Sequence, residues 1–540
     1  MRFIGVLGII VLLGLAWALS YHKRDVKLRI VFWGLGLQFL FAVIILREDF
    51  WSFVGMSVLA GLVSVYLLRM DRATPDRPPR KVITLLAAAA AVGLLLALAG
   101  PPVAAGAAGI CLVMLLLNSK FKVAPRAQAL LGVVIVVSVA AWLIASDIYG
   151  QIIFIAFSEK VAAFLSLSDY GARFLFGNLA DPQYFFPGGA SSWPGFGFQF
   201  AFKVLPTILF FGGFMAVLYY LGIMQKVIEA LARFMRWTVG TSGAETLSCT
   251  ANIFVGQTEA PLLIKPFLRD MTRSELLTIM VGGFATIAGG VLAAYIAMGI
   301  PAGHLIAASV MSAPAALLVG KIIYPELEHS VTAGDVEMPE IKSGSNVIEA
   351  ASNGITDGLK LAVNVGAMLV GFIALIAVID VAFNWVDSLV DGLLLHGEWV
   401  TYTSGGMSPV VGEYLGVIPG SLQTLFGTLL RPLAWLMGVP WVDADKVGNL
   451  LGIKLSLNEL VAYGVLGSYS AEGVISEKAV VISTYALCGF ANFSSIGIQI
   501  GGIAAVAPER RTDLAQLGLK AMLGGAIASW LTATIAGMLL

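Results

Sequence analysis

Apolar runs long enough to cross a bilayer as helices recur along this chain, separated by short polar stretches. They lie near 3–20, 30–46, 51–68, 82–99, 101–117 and 127–146, and again at 202–222, 276–299, 303–323, 360–384, 417–440, 446–466, 478–503 and 513–540. A spanning helix needs about 20 apolar residues, so the pattern predicts an all-α polytopic membrane protein. Two stretches are more amphipathic. One is 151–176, with Glu159, Lys160, Asp169 and Arg173 among apolar residues, and the other is 345–358. Both predict helices lying in the membrane interface. A Gly/Pro/Ser/aromatic loop runs from Asn178 to Phe198. An acidic linker, Pro325 to Ser343, carries Glu326, Glu328, Asp335, Glu337 and Glu340 and predicts a solvated loop.

Two apolar stretches are interrupted. Ser248 to Arg269 is broken by Gly256-Gln257-Thr258-Glu259-Ala260-Pro261, and Val417 to Trp441 by Pro419-Gly420, Gly427 and Pro432. The first is too short on either side of its break for two spans. It predicts a re-entrant hairpin, 248–269, whose polar tip lies inside the membrane, and the second predicts a matching hairpin, 417–440. Non-helical backbone at membrane depth is tolerated only where it lines a cavity or is buried in protein. Broken segments in corresponding places of two halves point to an inverted-repeat transporter. The expected organisation is two helices over 1–50, a block of about four helices over 51–147, and an interfacial helix and loop over 148–200. A first half follows over 201–324, then a linker over 325–345 and a second half over 346–540.

Charge adds orientation. The loop 21–29 is basic, as are 69–81 (Arg69, Arg72, Arg77, Arg80, Lys81) and 118–126 (Lys120, Lys122, Arg126). The turns between them, at Arg47-Glu48-Asp49-Phe50, at Gly100-Pro101-Pro102 and at Asp147, are not. Positive loops stay in the cytoplasm, which places the N-terminus outside. The first run resembles a signal peptide, with an Ala16-Trp17-Ala18 triplet. However, its positive cluster follows the apolar run, so a retained helix is expected. Composition agrees: 58% of residues are hydrophobic and 12% charged, with 33 basic against 33 acidic residues. Soluble proteins have about 25% charged residues, so a soluble enzyme, a disordered chain and a basic nucleic-acid binder are excluded. Cys111, Cys249 and Cys488 form no redox or metal motif, nor do His22, His304, His329 and His396. Neither a cofactor nor nucleic acid is expected.

The candidate chemistry is a small set of polar groups at membrane depth. Glu259 lies in the first hairpin tip beside Gln257 and Thr258, and Glu459 follows Asn458 in an otherwise apolar helix. An intramembrane carboxylate costs about 3 kcal/mol on insertion scales. Each either pairs with a neighbouring lysine, Lys265 or Lys454, or faces a polar ligand. Asn492 and Ser495 share a helix face at i and i+3, and a helix break would bring Phe490 to them. No cationic cluster joins these groups, which argues against anionic substrates. Carboxylates and amides suit vicinal hydroxyls, and an amide beside a ring suits a heterocycle. Asn252 and Thr286, the latter among Gly282, Gly283, Gly289 and Gly290, form a separate pair suited to Na⁺ with freed carbonyls. The segment Gly240-Thr241-Ser242-Gly243 matches no nucleophile elbow and no histidine lies in a polar motif, so an enzyme is not expected.

The strings GQTEAPLLIKPF (256–267), FATIAGGVLAAY (284–295), LSLNELVAY (455–463) and ALCGFANFSSIGIQIGGIAAVAPERR (486–511) resemble the concentrative nucleoside transporter family. So do 205–225 and 353–372. The resemblance covers about 3–50 and 151–540. It implies a cation-coupled nucleoside symporter, homotrimeric, in the bacterial inner membrane. In that family Gln257, Thr258 and Glu259 would face the nucleobase, Val291 would line its pocket and Phe490 would pack against it. Glu459, Asn492 and Ser495 would hold the ribose. Asn252 and Thr286, with carbonyls of Val255, Thr286 and Ile287, would bind Na⁺. Thr286 stands where Na⁺-coupled relatives often have Ser, so H⁺ remains the other coupling ion. Symport of another neutral sugar-like or heterocyclic metabolite, and a channel, are the other readings. The resemblance leaves 51–147 as an insertion, and purine or pyrimidine preference unread.

Overall fold

The computed structural model describes residues 2–69, 79–116, 125–185, 197, 199–333, 344–399 and 416–540. Most of the charges in the basic loops 69–81 and 118–126, much of the 178–198 loop and the acidic stretch 334–343 lie outside the described residues. Contacts divide the chain into two units.

The smaller unit covers 39–157 and holds α3 (Phe50–Arg69), α4 (Pro79–Ala99), α5 (Pro101–Leu116) and α6 (Pro125–Ala145). Helix α6 packs against the other three. Pro79, Pro101 and Pro125 each open a helix, where the missing N–H costs nothing.

The larger unit contains α1 (Arg2–Ala18), most of α2 (Leu28–Leu46) and everything from Ser158 to Met538. Two runs of the same order of elements follow one another. The first is α9 (Phe200–Tyr220), α10 (Ile223–Val239) and α11 (Gly243–Ala251). It continues with a non-helical tip into a short 3₁₀ segment (Ala260–Ile264), then α12 (Arg273–Ala285), α13 (Gly289–Ala297) and α14 (Ala302–Ile323). The second is α15 (Val347–Asp387), α16 (Leu422–Leu436), α17 (Ala444–Ser456), α18 (Glu459–Ala471), α19 (Glu477–Leu487), α20 (Phe493–Ala504) and α21 (Arg511–Leu539). Each run has an amphipathic helix, then a helix–tip–helix element, a broken helix and an intact one. The interior helices are the later ones. Of the apolar windows, those within 273–297, 302–323 and 508–539 are 83%, 89% and 83% buried, against 22% in α9.

Helices α9 and α15 cross at glycine. A Cβ on Gly212 would lie 2.7 Å from the Gly354 carbonyl oxygen, and one on Gly358 3.0 Å from that of Ile208. Small residues let membrane helices approach this closely. This crossing also explains one difference from the sequence reading: the 345–358 and 360–384 elements are one helix of 41 residues. Asn346 caps it by accepting from the Glu349 amide (2.9 Å), and Gly354 and Gly358 serve packing rather than a turn.

The second interrupted stretch also differs. Residues 417–440 contain the single helix α16, with Pro432 inside it. Gly427 and Gly448 bring α16 and α17 into close backbone contact: a Cβ on Gly448 would lie 2.8 Å from the Gly427 carbonyl oxygen. The polar reversal comes later, at Leu457-Asn458, where the 446–466 run breaks into α17 and α18. No Pro or Gly marks it. Asn458 starts α18 by accepting from the Val461 amide (2.9 Å).

Residues 150–176 form α7 (Gly150–Leu165) and α8 (Ser168–Phe176). By length and composition the run Gly150–Ala180 qualifies as a span, where the sequence suggested an interfacial helix. Two of the charges behind that reading are paired, Asp169 with Lys203 (2.6 Å) and Arg173 with Asp181 (3.5 Å).

Candidate functional site

The first hairpin enters through α11. Ser242 and Glu245 form a capping box at its start, and after Ala251 the chain turns through 252–259. Here Asn252 is 1% exposed, and neither its side-chain oxygen nor its nitrogen has a hydrogen-bond partner. A buried amide left unpaired costs about 1–3 kcal/mol, and both polar atoms of this one are available to a ligand. The facing break separates α12 from α13. Thr286 and Ala288 are extended, the unwinding that the flanking glycines suggested. The two non-helical segments meet: the Gly289 amide donates to the Phe254 carbonyl (3.2 Å), and a Cβ on Gly256 would contact that of Ala288 at 3.4 Å. Among the described residues, no backbone N–H donates to the carbonyls of Val255, Thr286 or Ile287. The Thr286 hydroxyl donates to the Gly282 carbonyl (2.8 Å), which leaves its lone pairs free to accept or coordinate. Oxygen ligands without competing donors are what a hard monovalent cation needs, and this donor set fits Na⁺.

The second hairpin carries Glu459 at the first position of α18, 4% exposed. One carboxylate oxygen accepts from the Tyr295 hydroxyl (3.0 Å) and the other from the Asn492 amide (3.2 Å). Tyr295 also packs against Tyr463 with the rings tilted, centroids 4.3 Å apart. Asn492 caps α20: its oxygen accepts from the Ser495 amide (2.9 Å) and the Ser494 hydroxyl (2.7 Å). The break before α20 spans 488–492, so Phe490, half-buried, stands beside Asn492. Gly489 makes this possible. Its φ is +113°, and a Cβ there would lie 2.4 Å from the Phe284 carbonyl oxygen.

Thus Glu459, Asn492 and Ser495 form one cluster. Gln257 belongs to another: its oxygen accepts from the Gln499 amide (3.0 Å), which also donates to the Met280 carbonyl (3.1 Å). A Cβ on Gly502 of α20 would lie 2.6 Å from the Thr258 methyl, so the first tip rests on α20. Val291 is buried on α13. Glu259 is apart from both clusters. It is packed round by protein yet accessible, because it faces a cavity of about 640 Å³ lined also by Tyr219, Gly256, Gly289, Asn353 and Asp357. That volume lies in the range of small-molecule sites.

Neither lysine pairs with these carboxylates. Lys265 is exposed, and Lys454 donates to the carbonyls of Ala486 (3.0 Å) and Cys488 (3.2 Å). Tyr295 and Gln499 escaped the sequence reading. A tyrosine among glycines and alanines in the 284–295 string, and a glutamine in the middle of an apolar run, were the available signals.

Known proteins resemble this chain over most of its length. Family models match as Na⁺ dependent nucleoside transporter N-terminus over 7–67, nucleoside recognition "Gate" over 201–302, and Na⁺ dependent nucleoside transporter C-terminus over 304–537. The N-terminal match therefore takes in α3, which the sequence reading assigned to the insertion. An uncharacterized transporter of Haemophilus influenzae is 45% identical over 387 residues, 71% of this chain and 84% of that protein. Sodium/nucleoside cotransporter 1 of Mus musculus is 40% identical over 516 residues, 91% of this chain and 68% of that protein. The structure of CNTnw in an inward-facing substrate-bound state matches with a TM-score of 0.69 at 32% identity, covering 99% of this chain and 98% of that one. A CNTnw variant in an outward-facing state matches with a TM-score of 0.71 at 31% identity, covering 100% and 97%. With this fold, these tips and these relatives, the chain belongs to the Na⁺-dependent nucleoside transporter family.

Proposed function

We propose that this protein imports nucleosides by symport with Na⁺, by alternating access. The observation that carries the reading is the pair of breaks at membrane depth. One holds a buried, unpartnered Asn252 beside free carbonyls, and the other a buried carboxylate, Glu459, joined to an amide. Solved inward- and outward-facing structures of CNTnw support the alternation.

Asn252 and Thr286 supply side-chain oxygens to Na⁺, with the carbonyls of Val255, Thr286 and Ile287. Glu459, Asn492 and Ser495 hold the ribose. The carboxylate accepts from the hydroxyls in place of Tyr295 or Asn492, and the amide and Ser495 complete the set. Gln257 and Thr258 face the nucleobase, with Val291 lining its pocket and Phe490 against the ring, and Glu259 joins them when the tip turns it from the cavity it faces in this structure. The ion ligands Asn252 and Val255 belong to the same tip as Gln257, Thr258 and Glu259. Na⁺ clamped between tip and break orders that tip before the base arrives, so ion and nucleoside strengthen each other's binding.

The protein acts as a homotrimer in the bacterial inner membrane with its N-terminus outside. Proteoliposome uptake with uridine, adenosine and guanosine in competition, driven by a Na⁺ or a proton gradient, tests the reading. Accumulation driven by Na⁺ is expected, and the competition gives the base preference.

A further inference from the structure

The two broken helices differ in what sits against their freed carbonyls. Thr286 is the first residue after α12, and Cys488 the first after α19. Cys249 is the third residue from the end of α11, and Lys454 the third from the end of α17. In corresponding places of the two repeats, a small neutral thiol thus stands opposite a cation. Among the described residues the Cys249 thiol donates to the Thr278 carbonyl alone (3.5 Å). The Lys454 ammonium lies at the second break and donates to the carbonyls of Ala486 (3.0 Å) and Cys488 (3.2 Å). The Ser529 hydroxyl also donates to the Cys488 carbonyl.

Lys454 is 0% exposed and has no carboxylate within ion-pair distance among the described residues. A charge in such a place is expensive, and a neutral donor would satisfy two carbonyls at lower cost. Glu459, five residues on, lies within electrostatic reach. The ammonium therefore does one thing that a neutral donor cannot: while it gathers the carbonyls of Ala486 and Cys488, it also balances the charge of Glu459.

We propose that Lys454 is a tethered cation. Its ammonium fills, in the second repeat, the carbonyl-lined break that the first repeat leaves for Na⁺, and it holds Glu459 and Asn492 in their binding arrangement without a second ion. Lys454 is a positioning residue, because it touches the helix break rather than the nucleoside. The inference rests on the Na⁺ assignment of the first break.

The test uses the full-length protein with Lys454→Gln and Lys454→Ala. Glutamine keeps a neutral donor for the carbonyls, whereas alanine opens the space. Uridine binding at saturating Na⁺ is expected to weaken about tenfold or more in Lys454→Gln, at one decade per 1.4 kcal/mol. Wild-type affinity in that variant overturns the role of the charge. The second readout needs no nucleoside. Ethylammonium is expected to raise the melting temperature of Lys454→Ala and leave the wild type unchanged, with tetramethylammonium inert in both. Equal responses of variant and wild type to ethylammonium overturn the proposal. If Lys454→Ala does not fold, Lys454→Gln decides alone, through uridine binding or, where it too is unfolded without added cation, through recovery of folding by Lys454→Arg. Failure of Lys454→Arg to fold then overturns the proposal. Wild-type protein without Na⁺-dependent uridine binding would instead count against the transport reading.

Discussion

The first tip and the second tip are built from similar elements and left in opposite states. Around Asn252 the first break has an unpaired amide, carbonyls without donors and an N-terminus of α13 without a side-chain cap. Around Glu459 the polar groups at the second tip are paired: Tyr295, Asn492, Ser494 and Lys454 all find partners. On the proposed assignment, the difference separates an ion site from a preorganised substrate site in one fold. Polar groups left unsatisfied at membrane depth need something from outside, whereas satisfied ones can exchange a protein partner for a ligand at little cost.

Removing the centre of the paired side has the largest effect. Glu459→Ala takes away the acceptor for two hydroxyls and strands Tyr295 and Asn492. The expected loss in uridine kcat/KM is about a hundredfold or more, since hydrogen bonds to a charged group contribute about 1.5–3 kcal/mol each. Uptake near the wild-type level would remove Glu459 from the site. On the unsatisfied side, Asn252→Ala removes an unpaired buried group. Saturating Na⁺ at about 100 Kd stabilises the wild type by about 2.7 kcal/mol. The variant is expected to lose that response in melting curves while matching or exceeding the wild type in Na⁺-free buffer. A retained response would place the ion elsewhere.

Gln499→Leu sharpens the link between the halves. It frees Gln257, and the expected result is a change of about threefold to tenfold in the ratio of purine to pyrimidine uptake, from one lost neutral hydrogen bond. Lys265→Ala has the smallest effect: with the lysine exposed and no ion pair to Glu259 among the described residues, uptake stays within about twofold.

Much of this was legible in the chain. The apolar runs, the first hairpin and the polar letters at its tip announce themselves because Gly256 and Pro261 bracket three polar side chains. The second tip was misplaced because Pro432 sits within a helix, while the true break at Leu457-Asn458 depends on an asparagine cap. The division of 345–384 into two helices failed for a related reason: Gly354 and Gly358 look like breaks in one dimension and are contacts in three. Tyr295 and Gln499 were missed because their partners are 164 and 242 residues away in sequence, and no local pattern reports such a distance.

Reciprocal titration tests the central claim most directly. Uridine affinity is measured across Na⁺ concentrations, and Na⁺ affinity with and without uridine. The account predicts that each ligand tightens the other by the same factor, as linkage requires. Uridine affinity independent of Na⁺ would contradict it.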